Sequence, residues 1–205
     1  MLHPIFAGLA FTTRIDENSN ANAVATDTLG NVYVVGESYG NLGGAPLNGL
    51  RDLFLLKFDA TGAQAYARQI GATGADTRGF SVATDAANAV YAVGYATAGV
   101  DGNTLTGDTD ALLVKFDVNG TRRYTRQLGV ASVQTRGSAV AVDARGSAFV
   151  AGHTYGGLDG NVLAGNTDAF GQRDFDFGQN VRGIDIEYRG LTSPLPRADR
   201  MSVIG

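Results

Sequence analysis

The sequence predicts an all-β protein made of tandem units of four antiparallel strands. Three observations predict this class: a 58-residue period, four strand-like segments in each period, and no helical spacing of apolar residues. The composition agrees, because 29 glycines with only four prolines in 205 residues indicate many tight turns rather than a disordered tract.

The period is visible both in single residues and in longer segments. Aspartates that end an apolar stretch recur every 58 residues, at Asp27, Asp85 and Asp143. The same step relates three glycines and a second set of aspartates: Gly36, Gly94 and Gly152, and Asp52, Asp110 and Asp168. "LLKFDATG" at 55–62 returns as "LVKFDVNG" at 113–120, and "YARQIG" at 66–71 returns as "YTRQLG" at 124–129. The register holds without insertion over residues 22–170, which is too long for chance.

In the middle unit the predicted strands are 80–85, 89–95, 110–117 and 122–129. They are short, rich in Val, Tyr, Phe, Leu and Thr, and bounded by Gly, Asn and Asp, as strands are. The "DATG" and "DVNG" segments are typical of tight turns between antiparallel strands. The period places units at 22–79 and 80–137 and a partial unit at 138–176. Residues 1–21 are then the remnant of a preceding unit, and 177–205 form a tail outside the repeat.

Four antiparallel strands in a repeat of this length are the arrangement of a β-propeller blade. The segments 30–34, 110–117 and 127–129 resemble the bacterial seven-bladed β-propeller repeat, known as SBBP, and the resemblance covers roughly residues 22–170. The family usually carries Trp in the last strand, where this chain has Tyr66 and Tyr124. The resemblance implies a bacterial surface or secreted protein without assigned catalytic residues. We find no signal peptide, because Pro4 interrupts the apolar stretch near the N-terminus and no basic segment precedes it.

About three copies of the blade cannot close a propeller, which takes four to eight. We therefore expect an incomplete propeller, with three explanations open. The chain is a fragment of a longer protein, or it self-associates to complete the propeller, or it forms an open stack whose edges stay unpaired.

Two loops rich in Asp, Asn and Gly are candidate calcium sites. "DGNTLTGDTDA" at 101–111 and "DGNVLAGNTDA" at 159–169 share eight of eleven letters. They offer oxygen ligands of the kind calcium prefers: Asp101, Asn103, Asp108 and Asp110, and Asp159, Asn161, Asn166 and Asp168. Their spacing matches neither the EF-hand nor the calcium-binding nonapeptide. The equivalent segment of the first unit is "GGAPLNGLRDL" at 43–53. It has lost the first Asp and the Asn but retains Leu47, Gly49 and Asp52, the residues that a turn and the start of a strand need. We favour turn structure without a cofactor, with a calcium-stabilised repeat as the alternative.

Residues that recur in every unit are read as structural. The recurring Asp27 is expected to accept hydrogen bonds at a strand end, and Lys57 and Lys115 are expected to hold their charges in water. His153 stands where the other units have Glu37 and Tyr95, so we place it at a surface strand end. No glycosidase pair, nucleophile elbow or phosphate loop is present, so no catalytic residue is assigned and the chain is predicted not to be an enzyme. A fragment of a propeller glycan-processing enzyme remains the alternative.

The expected function is a non-catalytic scaffold or binding module, extracellular or on the bacterial cell surface. A net charge of −4 without a basic cluster argues against nucleic-acid binding, and the lack of a long apolar run argues against membrane insertion. The ligand is expected to be a protein or a glycan, bound by the longest connections at 38–49, 96–109 and 154–167, since long loops on rigid scaffolds carry recognition.

Overall fold

The computed structural model describes residues 18–158, 162–163 and 165–173. These residues form eleven strands and no helix, in three antiparallel sheets of four, four and three strands. The first sheet contains β1 Ser19–Thr26, β2 Val32–Ser38, β3 Asp52–Phe58 and β4 Gln64–Ile70. The second contains β5 Thr77–Thr84, β6 Val90–Ala96, β7 Asp110–Phe116 and β8 Arg122–Leu128. The third contains β9 Thr135–Val142, β10 Ala148–Thr154 and β11 Asp168–Arg173.

Each sheet is a meander whose strands pair in chain order, as predicted. The recurring aspartate closes the turn between the first two strands. Asp27 Oδ1 accepts the N–H groups of Leu29 and Asn31, and its Oδ2 accepts the hydroxyl of Tyr33 at 2.9 Å. Asp85 binds its own turn and Tyr91 in the same way. The structural role expected of this residue is confirmed.

A recurring glycine in the second strand permits a close approach to the first strand. In the first sheet the register shifts between Ala21 and Ala23, which marks a β-bulge. A Cβ on Gly36 would lie 1.8 Å from the carbonyl oxygen of Asn20, and one on Gly94 would lie 1.7 Å from that of Arg78. Any side chain at this position would therefore displace the bulged strand.

The sheets stack face to face through alternate residues of their strands. Two of the core clusters each join neighbouring sheets, because side chains of a strand point to opposite faces in turn. Leu112, Val114 and Phe116 of β7 pack towards the first sheet, whereas Ala111 and Leu113 pack towards the third. Contacts between sheets concentrate on the first strands, with β5 against β1–β3 and β9 against β5–β7. This arrangement is that of blades in a propeller, and the all-β incomplete-propeller class is confirmed.

Lys57 corrects one of the sequence-based expectations. Its side chain was expected to extend into water, but the residue is only 8 % exposed. Its Nζ donates to the carbonyl of Val118 at 3.0 Å and lies 5.4 Å and 5.7 Å from the ring centroids of Tyr33 and Tyr66. The prediction was wrong because the β7–β8 turn of the next sheet covers this strand end. Lys115, the residue one unit later, keeps 24 % of its side chain exposed.

The sheets begin a few residues before the units read from the sequence. The boundaries at 79/80 and 137/138 fall inside β5 and β9. A period fixes the spacing of equivalent residues but not where a sheet starts. Most of the predicted remnant 1–21, and the whole tail 177–205, lie outside the described residues. In the part of the chain that the structure describes, no helix is long and apolar enough to cross a membrane.

Candidate functional site

Asp110, a candidate calcium ligand, is fully buried at the start of β7 and holds the loop before it. Its Oδ2 accepts the N–H of Thr106 at 2.8 Å, and its Oδ1 accepts the N–H of Gly107 at 2.9 Å. A Cβ on Gly129 would lie 1.8 Å from that Oδ1, so the glycine leaves room for the carboxylate. Asp52 and Gly71 repeat this arrangement in the first sheet. The aspartate therefore acts as the anchor of a turn.

The remaining candidates in 101–110 point to different partners. Asp101 accepts a hydrogen bond from the hydroxyl of Thr125 and forms an ion pair with Arg122. Asn103 donates to the carbonyls of Val100 at 2.7 Å and Thr125 at 3.2 Å, and Asp108 is exposed. Among the described residues, no three His, Cys, Asp or Glu side chains are grouped closely enough to hold a metal ion.

The second loop is described only in part. Asp159 and Asn161 lie outside the described residues, whereas Asn166 is exposed and Asp168 is half-buried at the start of β11. Calcium binding by these two loops stays a prediction.

Loop 97–109 is held firmly against its own sheet. The N–H of Val100 donates to Gln127 Oε1 at 2.7 Å, and Gln127 Nε2 donates to the carbonyl of Ala98 at 3.0 Å. In the first sheet, Gln69 Nε2 donates to the carbonyl of Gly40 at 3.1 Å. A groove of about 630 Å³ lies beside that loop, lined by 43–46, Asn48 and 64–69. These loops are thus fixed surfaces rather than loose connections.

Side chains that break the repeat gather where the loops leave the second strands. We call four positions in each blade the end positions: two at the start of the first strand and two at the end of the second. In blade order they are Asn18, Asp76 and Gln134; Asn20, Arg78 and Arg136; Glu37, Tyr95 and His153; and Tyr39, Thr97 and Tyr155. Strand pairing places the second and third of these positions opposite each other in every sheet, as in the pair Arg136–His153. The end positions are the chemically variable part of the blades.

Between the first two blades the charges at the end positions balance. Arg78 donates to Asp76 at 3.1 Å, and Arg51 Nε lies 3.1 Å from the same carboxylate. Glu37 accepts hydrogen bonds from Asn20 and Asn22. Burial opposes the charge of Arg78, but the hydrogen bond that Arg78 donates to Asp76 and the fields of Tyr95, Asp76 and Glu37 outweigh it and raise the pKa of the guanidinium.

Between the second and third blades the acids are missing. Arg136 lies with its Cζ 4.6 Å from the ring centroid of Tyr95 and donates to Gln134 at 2.9 Å. His153, its strand partner, contacts Tyr155 edge to face, with the ring centroids 5.9 Å apart. Burial, and then the charge of Arg136, lower the pKa of His153.

The surface placement expected for His153 was wrong. Its equivalents Glu37 and Tyr95 are only 7 % and 4 % exposed, and His153 itself is half-buried. In the first two blades the first strand of the following sheet packs close to this position, whereas no sheet after the third is among the described residues. A comparison of the three repeats by charge would have singled out the position, because it changes from Glu to Tyr to His directly after a glycine that all three repeats keep.

Stacked meanders related by a 58-residue repeat define the protein as a set of β-propeller blades in an incomplete propeller. A sequence model of the SBBP family, described as a beta-propeller repeat, matches residues 15–43 and 123–159. These two matches confirm the resemblance to the beta-propeller repeat that was read from the sequence. A comparison with curated proteins gives no match.

Proposed function

We propose that the protein is a non-catalytic binding module of a bacterial surface or secreted protein, which recognises a glycan or a protein ligand with one end of its blades. The observation that carries the proposal is the gathering of the loops and the end positions on the same end of each sheet. Repeating residues form the faces that stack, whereas varying residues lie at this end.

Two further features support binding. The loops are pre-ordered by Gln127 and Asp110, so ligand binding would cost little loop entropy. Exposed tyrosines stand at the end positions, with Tyr39 at 46 % and Tyr155 at 45 % exposure. Tyrosine offers a large rigid surface with a polar tip and is enriched at recognition surfaces.

Self-association of chains to complete the propeller is part of the same proposal. It would place further blades beside those described and enlarge the binding end. Light scattering of the full chain tests it, because a discrete oligomer supports completion and a monodisperse monomer contradicts it.

A loop exchange within the chain tests the binding proposal. Residues 101–107, "DGNTLTG", are replaced by "GGAPLNG" from the equivalent positions 43–49, which preserves the length and three of the letters. The control exchanges the turn at the opposite end, so that "DVNG" at 117–120 becomes "DATG" from 59–62. The labelled full-length variants and parent are applied to a glycan array and to a panel of purified surface proteins.

We expect the parent and the turn variant to bind the same ligand, and the loop variant to lose it while keeping a cooperative unfolding transition. Equal binding by both variants would show that this loop does not recognise the ligand. Release of a cleaved glycan by the parent would contradict the non-catalytic assignment.

A further inference from the structure

We propose that Arg136, with Tyr95, His153 and Tyr155, forms a subsite for the carboxylate or sulfate group of an acidic saccharide. The inference rests on the proposed binding function and names the chemistry of one part of its ligand. The argument comes from a comparison of two equivalent arginines in the same protein.

Arg78 and Arg136 occupy the same position in successive blades, but their surroundings differ in charge. Arg78 has a carboxylate two residues before it, Asp76, and lies in the field of Glu37 from the preceding blade. One repeat later, the equivalents of those acids are Gln134 and Tyr95. Both acidic neighbours of the first arginine are therefore replaced by neutral residues around the second.

No acidic side chain in the part of the chain that the structure describes forms an ion pair with the guanidinium of Arg136. Its contacts among the described residues are the hydrogen bond to Gln134, the ring of Tyr95 and the strand pairing of its backbone. Its Nε is buried without a hydrogen-bond partner in that part of the chain, as is the Nε of Arg78, so the two arginines differ in their charged neighbours and not in this atom. A half-buried guanidinium is expected to have a carboxylate or another anion, because arginine presents a fork of donors that matches carboxylate geometry. The missing partner is what a ligand would supply.

The neighbouring side chains favour a saccharide over an acidic peptide. The exposed ring of Tyr155 contacts His153, the strand partner of Arg136. The backbone N–H of Tyr155 donates to the carbonyl of Gln134 at 3.0 Å, which holds this residue beside the first strand. A rigid aromatic surface with a polar tip suits a sugar ring, whose faces carry C–H groups and whose edge carries hydroxyls. The ring of His153 adds a hydrogen-bonding group next to the same tyrosine.

The pKa of His153 can be used to measure anion binding at Arg136. Burial and then the charge of Arg136 lower the pKa of His153, so an anion bound to the guanidinium will cancel the second effect and raise that pKa. The chain has only two histidines, His3 and His153, and their ring proton signals can be assigned by substitution of one of them.

The experiment titrates the full chain by NMR with glucuronate, with sulfate, and with glucose as the neutral control, all at constant ionic strength. We expect glucuronate and sulfate to raise the pKa of His153 saturably, and glucose to leave it unchanged. Arg136→Gln is expected to weaken glucuronate binding about tenfold to hundredfold, since it removes a charged hydrogen-bond donor. Arg126→Gln is the matched control, because Arg126 also lies over a tyrosine, with its Cζ 5.2 Å from the ring centroid of Tyr124, but on the outer strand β8.

Two results would overturn the inference. One is a His153 pKa that does not respond to either anion in a folded parent chain. The other is an acidic peptide, such as a Glu-rich hexamer, that competes for Arg136 more strongly than glucuronate oligomers do. Binding of an array ligand that survives Arg136→Gln but not the loop exchange would also overturn the inference, while the proposed function would stand. The absence of any ligand on the arrays, together with a His153 pKa that does not respond to glucuronate, would contradict both proposals.

Discussion

Replacement of Asp110 by alanine separates the turn interpretation of loop 101–110 from the calcium interpretation. The substitution removes a fully buried carboxylate that accepts the N–H groups of Thr106 and Gly107 at 2.8 Å and 2.9 Å. Each of the two lost hydrogen bonds is worth about 1–2 kcal/mol, so the variant should lose roughly 2–4 kcal/mol of unfolding free energy. For a protein of this size, that loss corresponds to a fall in Tm of about 5–15 °C.

The assay is thermal unfolding of the parent chain, of Asp110→Ala and of Asp108→Ala, each in calcium and in excess chelator. Asp108 is the control because it is acidic, lies in the same loop and is exposed. We expect Asp110→Ala to melt lower in both buffers, Asp108→Ala to melt with the parent, and the chelator to change none of them. The reasoning is refuted if the chelator lowers the Tm of the parent to that of Asp110→Ala. It is refuted equally if Asp110→Ala melts with the parent.

Three other substitutions test the packing and the charges. Gly129→Ala should destabilise the fold by about 1–3 kcal/mol, because its Cβ would lie 1.8 Å from a carboxylate oxygen, whereas Gly40→Ala, with nothing within 4 Å, should be neutral by chemical denaturation. Tyr33→Phe should lower the unfolding free energy by about 1 kcal/mol, because it removes the 2.9 Å hydrogen bond to Asp27. Tyr66→Phe should leave the unfolding free energy unchanged, since the Tyr66 hydroxyl is buried without a partner among the described residues. Equal losses in the two variants would contradict this reasoning. The pKa of His153 is lower in the folded than in the unfolded chain, so the unfolded chain binds more protons below about pH 7 and the unfolding free energy should fall as the pH drops towards 5. His153→Asn should make this pH dependence shallower. An unchanged pH profile of the unfolding free energy in the variant would contradict the assignment.

The strands and turns were predictable because their signals are local. A continuous run of apolar residues marks a strand with two buried faces, as in β7, and the Asx-Gly segments mark the turns. The role of Asp27 also followed from sequence, since an acid that ends a strand in every unit is explained by the turn itself. Repetition made these inferences stronger than any single segment would have been.

The burial of Lys57 and the charge balance around Arg136 were not predictable in this way. Lys57 is covered by the turn at Val118, which lies one blade further along the chain. The field of Glu37 reaches Arg78 only because β2 and β5 belong to sheets that stack on each other. Both effects depend on contacts between units, whereas a repeat pattern describes each unit separately.

The separation of repeating faces from varying ends has a consequence for how such a chain evolves. When a unit of this kind is duplicated, the copy brings its own stacking residues with it and fits at once against its neighbour. The end positions are then free to change, and the charge surroundings of each depend on which blade comes before it. Arg78 is paired with Asp76 of its own blade and lies in the field of Glu37 from the blade before it, whereas the blade before Arg136 places Tyr95 at that position. The order of the units along the gene is therefore itself a determinant of specificity, and permuting intact blades would produce new recognition surfaces without a single substitution.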